Sequence, residues 1–405
     1  MTSVYSKMAI FFMAAVAALL AGCAAPIKKP PEESALVRKS GFSHPDFTDD
    51  LNFDGLEHSI LKSIAYLQRV PADRIYQFGP DRFDGAHLMQ SLQQFLDFIR
   101  TNPSDRDLEK FIRANYLVYQ SIGRDQKGEV LFTGYYEPHL NGRLMPDDEF
   151  RIPIYGLPRD LIKIDLSAFN EKYNGESIVG RYTGETVVPY HDRREIDEEN
   201  VLGDKAESLV WIKDPVDAFF LHIQGSGKIF LDSGEVVNVH YHGSNGRPYR
   251  SIGQLLIEAQ KIPQAEMSMQ KIRSYLHEHP EEMAPVFNHN PSYVFFKLEP
   301  EGPLGHLNVL LTPGRSVALD RRIFPPAALA FIRTKKPVID STGGIDSWVD
   351  CSRFVLNQDT GGAIRGPGRA DLFWGSGPYA EIAAGHLAHT GKLYFLILKP
   401  DRPKG

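Results

Sequence analysis

The sequence is poor in cysteine and in long apolar runs. Only two of its 405 residues are cysteine, Cys23 and Cys351, so no disulfide framework is expected. An uncharged segment near the N-terminus, Met8 to Leu20, has thirteen residues, fewer than the roughly 20 that a membrane-spanning helix needs. The chain also lacks low-complexity segments and repeats of fixed period. Disorder, collagen and coiled coil are therefore excluded.

A strongly basic stretch is missing as well. The chain has 45 Lys and Arg against 51 Asp and Glu, a formal charge of −6, and its cations are scattered. This distribution gives no stripe to neutralise a phosphate backbone, so nucleic acid is not an expected partner. The apolar fraction of 42% and charged fraction of 24% are those of a globular protein. At roughly 150 residues per domain, the length predicts two or three folding units.

The first residues form a targeting segment. Lys7 precedes the apolar run, which closes with Leu20-Ala21-Gly22-Cys23. This pattern resembles a bacterial lipoprotein signal, with residues 1–22 removed and Cys23 lipidated at its thiol. The resemblance implies a lipid anchor in a Gram-negative outer membrane, on the periplasmic side, since no Asp follows the cysteine. A plain secretory signal with an incidental cysteine is the alternative.

The segments that follow differ in composition and in the spacing of their apolar residues. Residues 23–46 contain several prolines among polar residues and are expected to be a lipid-anchored tether. Apolar residues at helical spacing between Leu56 and Gly123 predict three helices, the third running through Tyr116 and Tyr119 and capped by Ser104. We expect residues 47–130 to be the N-terminal helical part of a domain A.

Short apolar and aromatic runs separated by Gly, Pro and Asp begin at Val130 and predict strands, among them Ala218 to Ile223 and Leu307 to Leu311. Helical spacing returns from Ile252 to Phe287, and strands follow Pro291. The order of elements predicts a mainly β fold with helices, of the α+β class. We expect an inserted β domain B with flanking helices over 131–290, and a C-terminal barrel of domain A over 291–400.

Two aspartates flank a glycine-rich segment near the C-terminus. Four glycines lie between Asp359 and Asp371, which suits tight turns between barrel strands. Period two places Asp371 and Phe373 on one strand face and Leu372 and Trp374 on the other. An aspartate beside apolar neighbours has its charged form disfavoured, which raises its pKa towards that of a general acid. The alternative is that both aspartates only bind turn amides.

These aspartates, with Asp320 in Leu319-Asp320-Arg321-Arg322, resemble the three-aspartate pattern of the 3D domain. The segments Phe132 to Pro138, Arg151 to Gly156, His222 to Gly227, Tyr249 to Gly253 and Asn290 to Phe296 also resemble the membrane-bound lytic murein transglycosylase A family. The resemblance implies a double-psi β-barrel with a second β-barrel domain inserted and a groove between them. It implies that Asp371 is the catalytic acid, with Asp359 and Asp320 in support.

The same resemblance suggests which residues line the groove. They are Thr133, Tyr135, Tyr136 and Glu137 at the start of the first β unit, and Gln224, Gly225 and Ser226 in a glycine-rich turn. Tyrosine faces stack on sugar rings and their hydroxyls bind polar groups. Half-buried packing of the tyrosines and a plain β-turn at Gly225 are the alternatives.

Two other kinds of site are rejected. The segment Gln224 to Lys228 imitates a phosphate loop, but it lacks the first glycine and a Ser or Thr after the lysine. His222, His240 and His242 could approach one another, but no carboxylate or cysteine stands at zinc-ligand spacing. We therefore expect neither a metal nor a cofactor.

The family resemblance implies an enzyme that cleaves the β-1,4 bond between N-acetylmuramic acid and N-acetylglucosamine in peptidoglycan without water, leaving 1,6-anhydro ends. One carboxyl suffices for this reaction, whereas a hydrolase usually needs two. A glycan-binding module without catalysis, and a muramidase using Asp371 with Glu195 or Asp359, are the alternatives. We expect a monomer whose partners are glycan strands and the membrane, with cell-wall synthesis proteins as further candidates.

Overall fold

The computed structural model describes residues 35–173 and 175–400, and over these ranges the chain forms nineteen strands and nine α-helices. The predicted signal segment and Cys23 lie outside the described residues. Of the helices in the described part, none combines the length and apolarity needed to cross a bilayer.

The first strands are β1 Leu36–Lys39, β2 Ile75–Phe78, β3 Asp81–Asp84, β4 Tyr116–Ser121, β5 Val130–Glu137, β6 His139–Arg143, β7 Ile152–Tyr155, β8 Ile162–Asp165, β9 Ser177–Tyr182 and β10 Val187–Pro189. The remaining strands are β11 Ser208–Ile212, β12 Ser226–Leu231, β13 Val236–Ser244, β14 Val294–Glu299, β15 Ser316–Ala318, β16 Leu329–Ile339, β17 Ile345–Asp359, β18 Arg369–Ser376 and β19 Ala388–Leu398. The helices are α1 Leu56–Leu67, α2 Gly85–Ile99, α3 Asp105–Asn115, α4 Arg193–Glu199, α5 Pro215–Gln224, α6 Ile252–Glu258, α7 Met269–Glu278, α8 Met283–His289 and α9 Pro378–His386.

A closed barrel is formed by β5 and by the strands that follow residue 315. Its sheet has the order β1-β4-β19-β16-β17-β15-β18-β5, and β5 also pairs with β19, so six strands from β19 to β5 form a ring. Two neighbouring pairs, β15–β17 and β5–β18, are parallel. Consecutive residues such as Phe331 and Ile332 are fully buried, because both faces of these strands are covered; on one face Phe354 lies against Phe95 of helix α2, with 5.0 Å between ring centroids. The predicted α+β, strand-rich class is confirmed, whereas the double-psi connection stays a prediction.

A second sheet has the order β14-β13-β12-β6-β11-β7. Its two edge elements meet at a single bridge between Gly156 and Phe296. Ile154, Val210 and Ile229 form its own buried cluster, separate from the core of the barrel. A three-stranded sheet of β8, β9 and β10 extends from this part of the chain.

Sheet membership differs from the expected division at residues 131 and 291. Strand β5, assigned to the inserted domain, pairs with β18 and β19 in the barrel. Strand β14, assigned to the C-terminal barrel, pairs with β13 in the second sheet. The chain therefore leaves the barrel after Glu137 and finishes the second sheet only at Glu299.

Three predicted elements were wrong. Ala218 to Ile223 lies in helix α5, because Pro215 occupies its first turn and the Asp214 side chain accepts from the amide of Val216 at 2.8 Å. Tyr116 and Tyr119 lie in strand β4, although helix α3 begins as expected with Ser104 capping the amide of Asp107. Leu307 to Leu311 forms a loop.

Ion pairs join Asp49 and Asp50, which precede helix α1, to the barrel. Arg315 and Asp49 form a bidentate pair, with distances of 2.6 and 2.8 Å, and both side chains are almost fully buried. Asp50 accepts from Arg353 at 2.7 and 2.6 Å and from Lys336 at 2.6 Å. These contacts join residues far apart in sequence and fix the wall of the barrel beside β17.

Candidate active site

Asp371 lies in the middle of β18, opposite Thr133 of β5 in the parallel register. The Thr133 hydroxyl donates to Asp371 Oδ1 at 2.7 Å. Leu372 is fully buried while Asp371 is half-buried, and Phe373, two residues on, is also buried, so burial alternates only at the start of the strand. No other hydrogen bond to this carboxyl is present among residues 35–173 and 175–400, so Oδ2 is left for a ligand.

Burial raises the pKa of Asp371 to about 6, against the opposing effects of the Thr133 hydrogen bond and the positive charge of Arg369. Desolvation penalises the carboxylate more than the neutral acid. A carboxyl with this pKa exists in both protonation states at mildly acidic pH. It can therefore give a proton to a leaving oxygen and later take one back.

Asp359 ends strand β17 and lies near Asp371. Its Oδ2 accepts from the Tyr135 hydroxyl at 2.8 Å, and its Oδ1 accepts from the amides of His306 and Thr360, each at 2.9 Å. Burial raises its pKa to about 6; these hydrogen bonds oppose the shift, and the negative charge of Asp371 adds to it. Both oxygens of Asp359 are thus engaged by protein donors, unlike those of Asp371.

Asp320 is 1% exposed and has a different environment. Arg322 donates to both of its oxygens, at 2.9 and 2.7 Å, and the amide of Gly366 donates to Oδ2 at 2.8 Å. Burial favours the neutral acid, but these hydrogen bonds outweigh it and lower the pKa of Asp320 below its usual value. Ionised Asp320, the first aspartate of the motif, therefore holds the glycine-rich loop between Asp359 and Asp371 in place.

Neighbouring tyrosines of β5 point to opposite faces. Tyr135 contacts Asp359, and its ring centroid lies 5.2 Å from that of Phe373. Burial and the nearby aspartates raise the pKa of Tyr135 well above its usual value, so it acts as a hydrogen-bond donor. Tyr136 instead lines a separate cavity of about 340 Å³ together with Asp217, Arg273 and Glu381. The structure brings only Tyr135 of this pair to the aspartates.

Glu137 is 2% exposed, and its Oε2 lies 3.3 Å from Lys228 Nζ. Burial raises the pKa of Glu137, while Lys228 opposes the shift. This pair joins the end of β5, which belongs to the barrel, to β12 of the second sheet. Glu137 thus lies where the chain crosses between the two sheets.

Gln224, Gly225 and Ser226 form the end of helix α5 and the start of β12. Gly225 has a φ of 80°, and its amide caps the helix by donating to the carbonyl of Leu221. The Gln224 side chain accepts from the amide of Tyr136 at 3.0 Å. Gln224 is therefore attached to β5, but to the residue that faces away from Asp371.

Two of the residues weighed for other sites, Glu195 and His222, have structural partners. Glu195 completes a capping box by accepting from the amide of Asp192 at 2.7 Å, and it also contacts His191. Burial raises its pKa, but these two partners outweigh burial and lower it, which does not suit a general acid. His222 Nδ1 lies 3.2 Å from Arg193, and its ring packs against Tyr293.

Sequence reasoning missed several residues near the aspartates. Arg369 donates to the Thr133 hydroxyl at 3.3 Å, and His306 supplies a backbone amide to Asp359. Tyr249 is 39% exposed, and the charges of Arg369 and Asp371 act on it. For Arg369, its position two residues before Asp371 on the same strand was a signal in the sequence. The positions of His306 and Tyr249 depend on the tertiary fold.

Two family profiles match the chain. The MltA specific insert domain matches residues 131–297, and the 3D domain matches residues 315–397. The chain therefore has the domain composition of 3D-domain proteins that carry this insert.

Curated relatives agree with this class. The chain is 31% identical over 307 residues to membrane-bound lytic murein transglycosylase A of Escherichia coli K12, covering 75% of this chain and 74% of the relative. It is 32% identical over 282 residues to the Vibrio cholerae protein of the same name, covering 68% of each. The chain belongs to the membrane-bound lytic murein transglycosylase A family.

Solved structures show the same fold. A membrane-bound lytic murein transglycosylase from Agrobacterium tumefaciens has a TM-score of 0.72 and 29% identity, covering 90% of this chain and 98% of that one. E. coli MltA with bound chitohexaose has a TM-score of 0.67 and 27% identity, covering 91% and 95%.

Proposed function

We propose that this protein is a peptidoglycan lytic transglycosylase in which Asp371 acts first as acid and then as base. The observation that carries the proposal is one half-buried carboxyl with its pKa raised to about 6, held at Oδ1 by Thr133 and free at Oδ2. The family relatives are named for this activity, and one structural relative was solved with bound chitohexaose, a glycan.

In the first step, protonated Asp371 gives its proton to the glycosidic oxygen between N-acetylmuramic acid and N-acetylglucosamine. The bond from C1 to that oxygen breaks, and positive charge develops at C1 of the muramyl residue. In the second step, the Asp371 carboxylate takes the proton of the same sugar's 6-hydroxyl, and that oxygen bonds to C1. The products are a free 4-hydroxyl and a 1,6-anhydro end, water is not consumed, and Asp371 regains its proton.

Supporting roles follow from the hydrogen bonds. We assign Asp359, with Tyr135 and His306, to a hydrogen-bonded carboxyl beside Asp371 whose ionised form stabilises positive charge on the sugar. Asp320 holds the glycine-rich loop in place through the Gly366 amide. Three protein donors already bind the carboxyl of Asp359, and Glu195 caps a helix, so a two-carboxylate muramidase is the less favoured function.

For substrate binding, we assign Thr133 and Tyr135 to the cleft beside Asp371. Glu137 and Gln224 to Ser226 lie where β5 meets the second sheet, and we assign them to the shape of the groove between the two sheets. In this reading the barrel and the inserted sheet are two domains. Tyr136 has its side chain in the separate cavity, and we assign it to packing.

The proposed location is the periplasmic face of a Gram-negative outer membrane, with lipidated Cys23 as anchor. The relatives are named membrane-bound, and the lipoprotein-like signal supports an anchor of this kind. A monomeric state and contacts with cell-wall synthesis proteins stay predictions.

Product analysis tests the proposal. Purified sacculi are digested with the wild-type protein, with Asp371→Ala and with Asp350→Ala, and the soluble products are identified by mass spectrometry. Asp350 is a 91% exposed aspartate of the same strand as Asp359 and serves as the matched control. We expect anhydro ends from wild type and the control, and none from Asp371→Ala, which should still bind sacculi. Reducing ends would indicate a hydrolase, and intact sacculi with wild type a binding module.

A further inference from the structure

Arg369 lies two residues before Asp371 on β18, so both side chains leave the same face of the strand. Its Nη2 donates to the Thr133 hydroxyl oxygen at 3.3 Å, and the same hydroxyl lies 2.7 Å from Asp371 Oδ1. A guanidinium, a hydroxyl and a carboxyl thus form a short chain that ends on the proposed catalytic acid.

The direction of this chain follows from the chemistry of its members. A guanidinium has donors only, and a threonine hydroxyl has a single hydrogen. Where Arg369 donates, Thr133 accepts on one lone pair, so its hydrogen points away from the guanidinium and is given to Oδ1. We propose that Arg369 is a positioning residue that acts through Thr133 to keep Oδ1 of Asp371 an acceptor and the transferable proton on Oδ2.

The consequence concerns which oxygen faces the substrate. Without Arg369, the Thr133 hydroxyl can rotate and accept a hydrogen bond from a protonated Oδ1. The proton would then be held by the protein and would be unavailable to the glycosidic oxygen. Arg369 favours the arrangement in which the proton is carried by the unoccupied oxygen. The inference rests on the proposed role of Asp371.

The charged and titratable groups that face Asp371 come from several elements: Arg369 from its own strand, Tyr135 from β5, Asp359 from β17, and Tyr249 from the segment before α6. Arg369 is the cation among them, and its charge opposes the effect of burial on the pKa of Asp371. Its loss should therefore change two observables, the rate at the optimum and the pH at which activity declines.

The test measures kcat, KM and the pH profile of anhydro-product formation for the full chain and for single variants. For Arg369→Met we expect kcat to fall about tenfold with little change in KM. The basic limb of the pH profile, where activity declines as the pH rises, should move up by about one pH unit, because the positive charge is lost. Arg369→Lys should keep the position of that limb because it keeps the charge. Arg333→Met replaces an exposed arginine of β16 in the same sheet and should behave as wild type.

Variants of Thr133 test the connection. Thr133→Ser keeps the hydroxyl and should retain most of the rate, whereas Thr133→Val should lose as much as Arg369→Met. In the Thr133→Val background, adding Arg369→Met should lower kcat by less than twofold, because the chain is already broken. If Arg369→Met does not fold, Arg369→Gln takes its place in this comparison, because it also removes the positive charge.

Two results would overturn the inference: independent, multiplicative losses of kcat in the double variant, or a raised KM with an unmoved basic limb, which would mean that Arg369 contacts substrate. An inactive Asp371→Ala beside a normal Arg369→Met would refute this inference alone. An active Asp371→Ala would refute the proposed function itself.

Discussion

Two groups of carboxylates in this protein differ in their donors. Asp49 and Asp50, on the wall of the barrel, each face an arginine in a bidentate pair. Asp371 and Asp359, at the candidate active site, face hydroxyls and backbone amides. Cationic partners hold a buried carboxylate ionised, whereas a neutral donor only partly offsets desolvation. The kind of donor therefore separates the aspartates that fasten the fold from those that can exchange protons.

The largest expected effect is on activity, from the isosteric change Asp371→Asn. It leaves the shape of the site but removes the exchangeable proton, so kcat should fall by about 10³-fold or more. Anhydro-product formation measures the rate, and the unfolding free energy of the same variant should not fall. A variant that retained a tenth of the wild-type rate would contradict the assignment.

Asp49→Asn makes the same chemical change at an aspartate on the wall of the barrel, where it should lower the stability of the fold. The change leaves the fully buried Arg315 without its charged partner. We therefore expect the unfolding free energy to fall by about 3–5 kcal/mol. Urea unfolding followed by circular dichroism measures it, with the exposed Asp350→Asn as control. A loss below 1 kcal/mol would mean that Asp49 does not fasten the barrel.

The two groups also predict opposite pH dependences of stability. Asp371 has its folded-state pKa raised to about 6, so its contribution is complete below about pH 3.9 and is lost as the pH rises through 6. For Asp50, burial raises the pKa but Arg353 and Lys336 outweigh it, so the folded-state pKa is lowered. Its contribution is present above about pH 3.9 and is lost on acidification.

Unfolding free energies between pH 3 and 8 test this contrast. Asp371→Asn should flatten the decline between about pH 4 and 6, and Asp50→Asn should flatten the decline below about pH 4. Activity of the wild type should decrease above about pH 6, because the first step needs protonated Asp371. Identical stability profiles for both variants would contradict the comparison.

The smallest effect is expected for Tyr135→Phe. It removes one of three donors to Asp359, which raises the pKa of that carboxyl and weakens its negative charge in the working pH range. We expect kcat to fall about tenfold, the loss of one hydrogen bond to a charged group. Product formation measures it, and Tyr136→Phe, on the opposite face of β5, should change the rate less.

The sequence predicted local features of the site better than its contacts. The alternation around Asp371 placed it correctly on one face of β18, and Ser104 was correctly assigned as a helix cap. Helix α5 was mistaken for a strand because a short, continuous apolar run has no clear period. The cap at Asp214 and the proline that follows it were the signals against a strand.

What sequence reasoning could not supply were the long-range pairs. Tyr135 meets Asp359 across 224 positions, and Thr133 meets Arg369 across 236. No local periodicity encodes these pairs, because they depend on the parallel register of β5 with β18. The same register decides that Tyr135, and not Tyr136, lies beside the aspartates.

Strand β5 supplies Thr133 to the proton-handling site and then leads directly into the inserted sheet. If the inserted sheet shapes the groove, as proposed, changes in the length of its strands would alter the groove while leaving the pairing of Thr133 with Asp371 in place. The acid and the wall opposite it could then change at different positions of one chain.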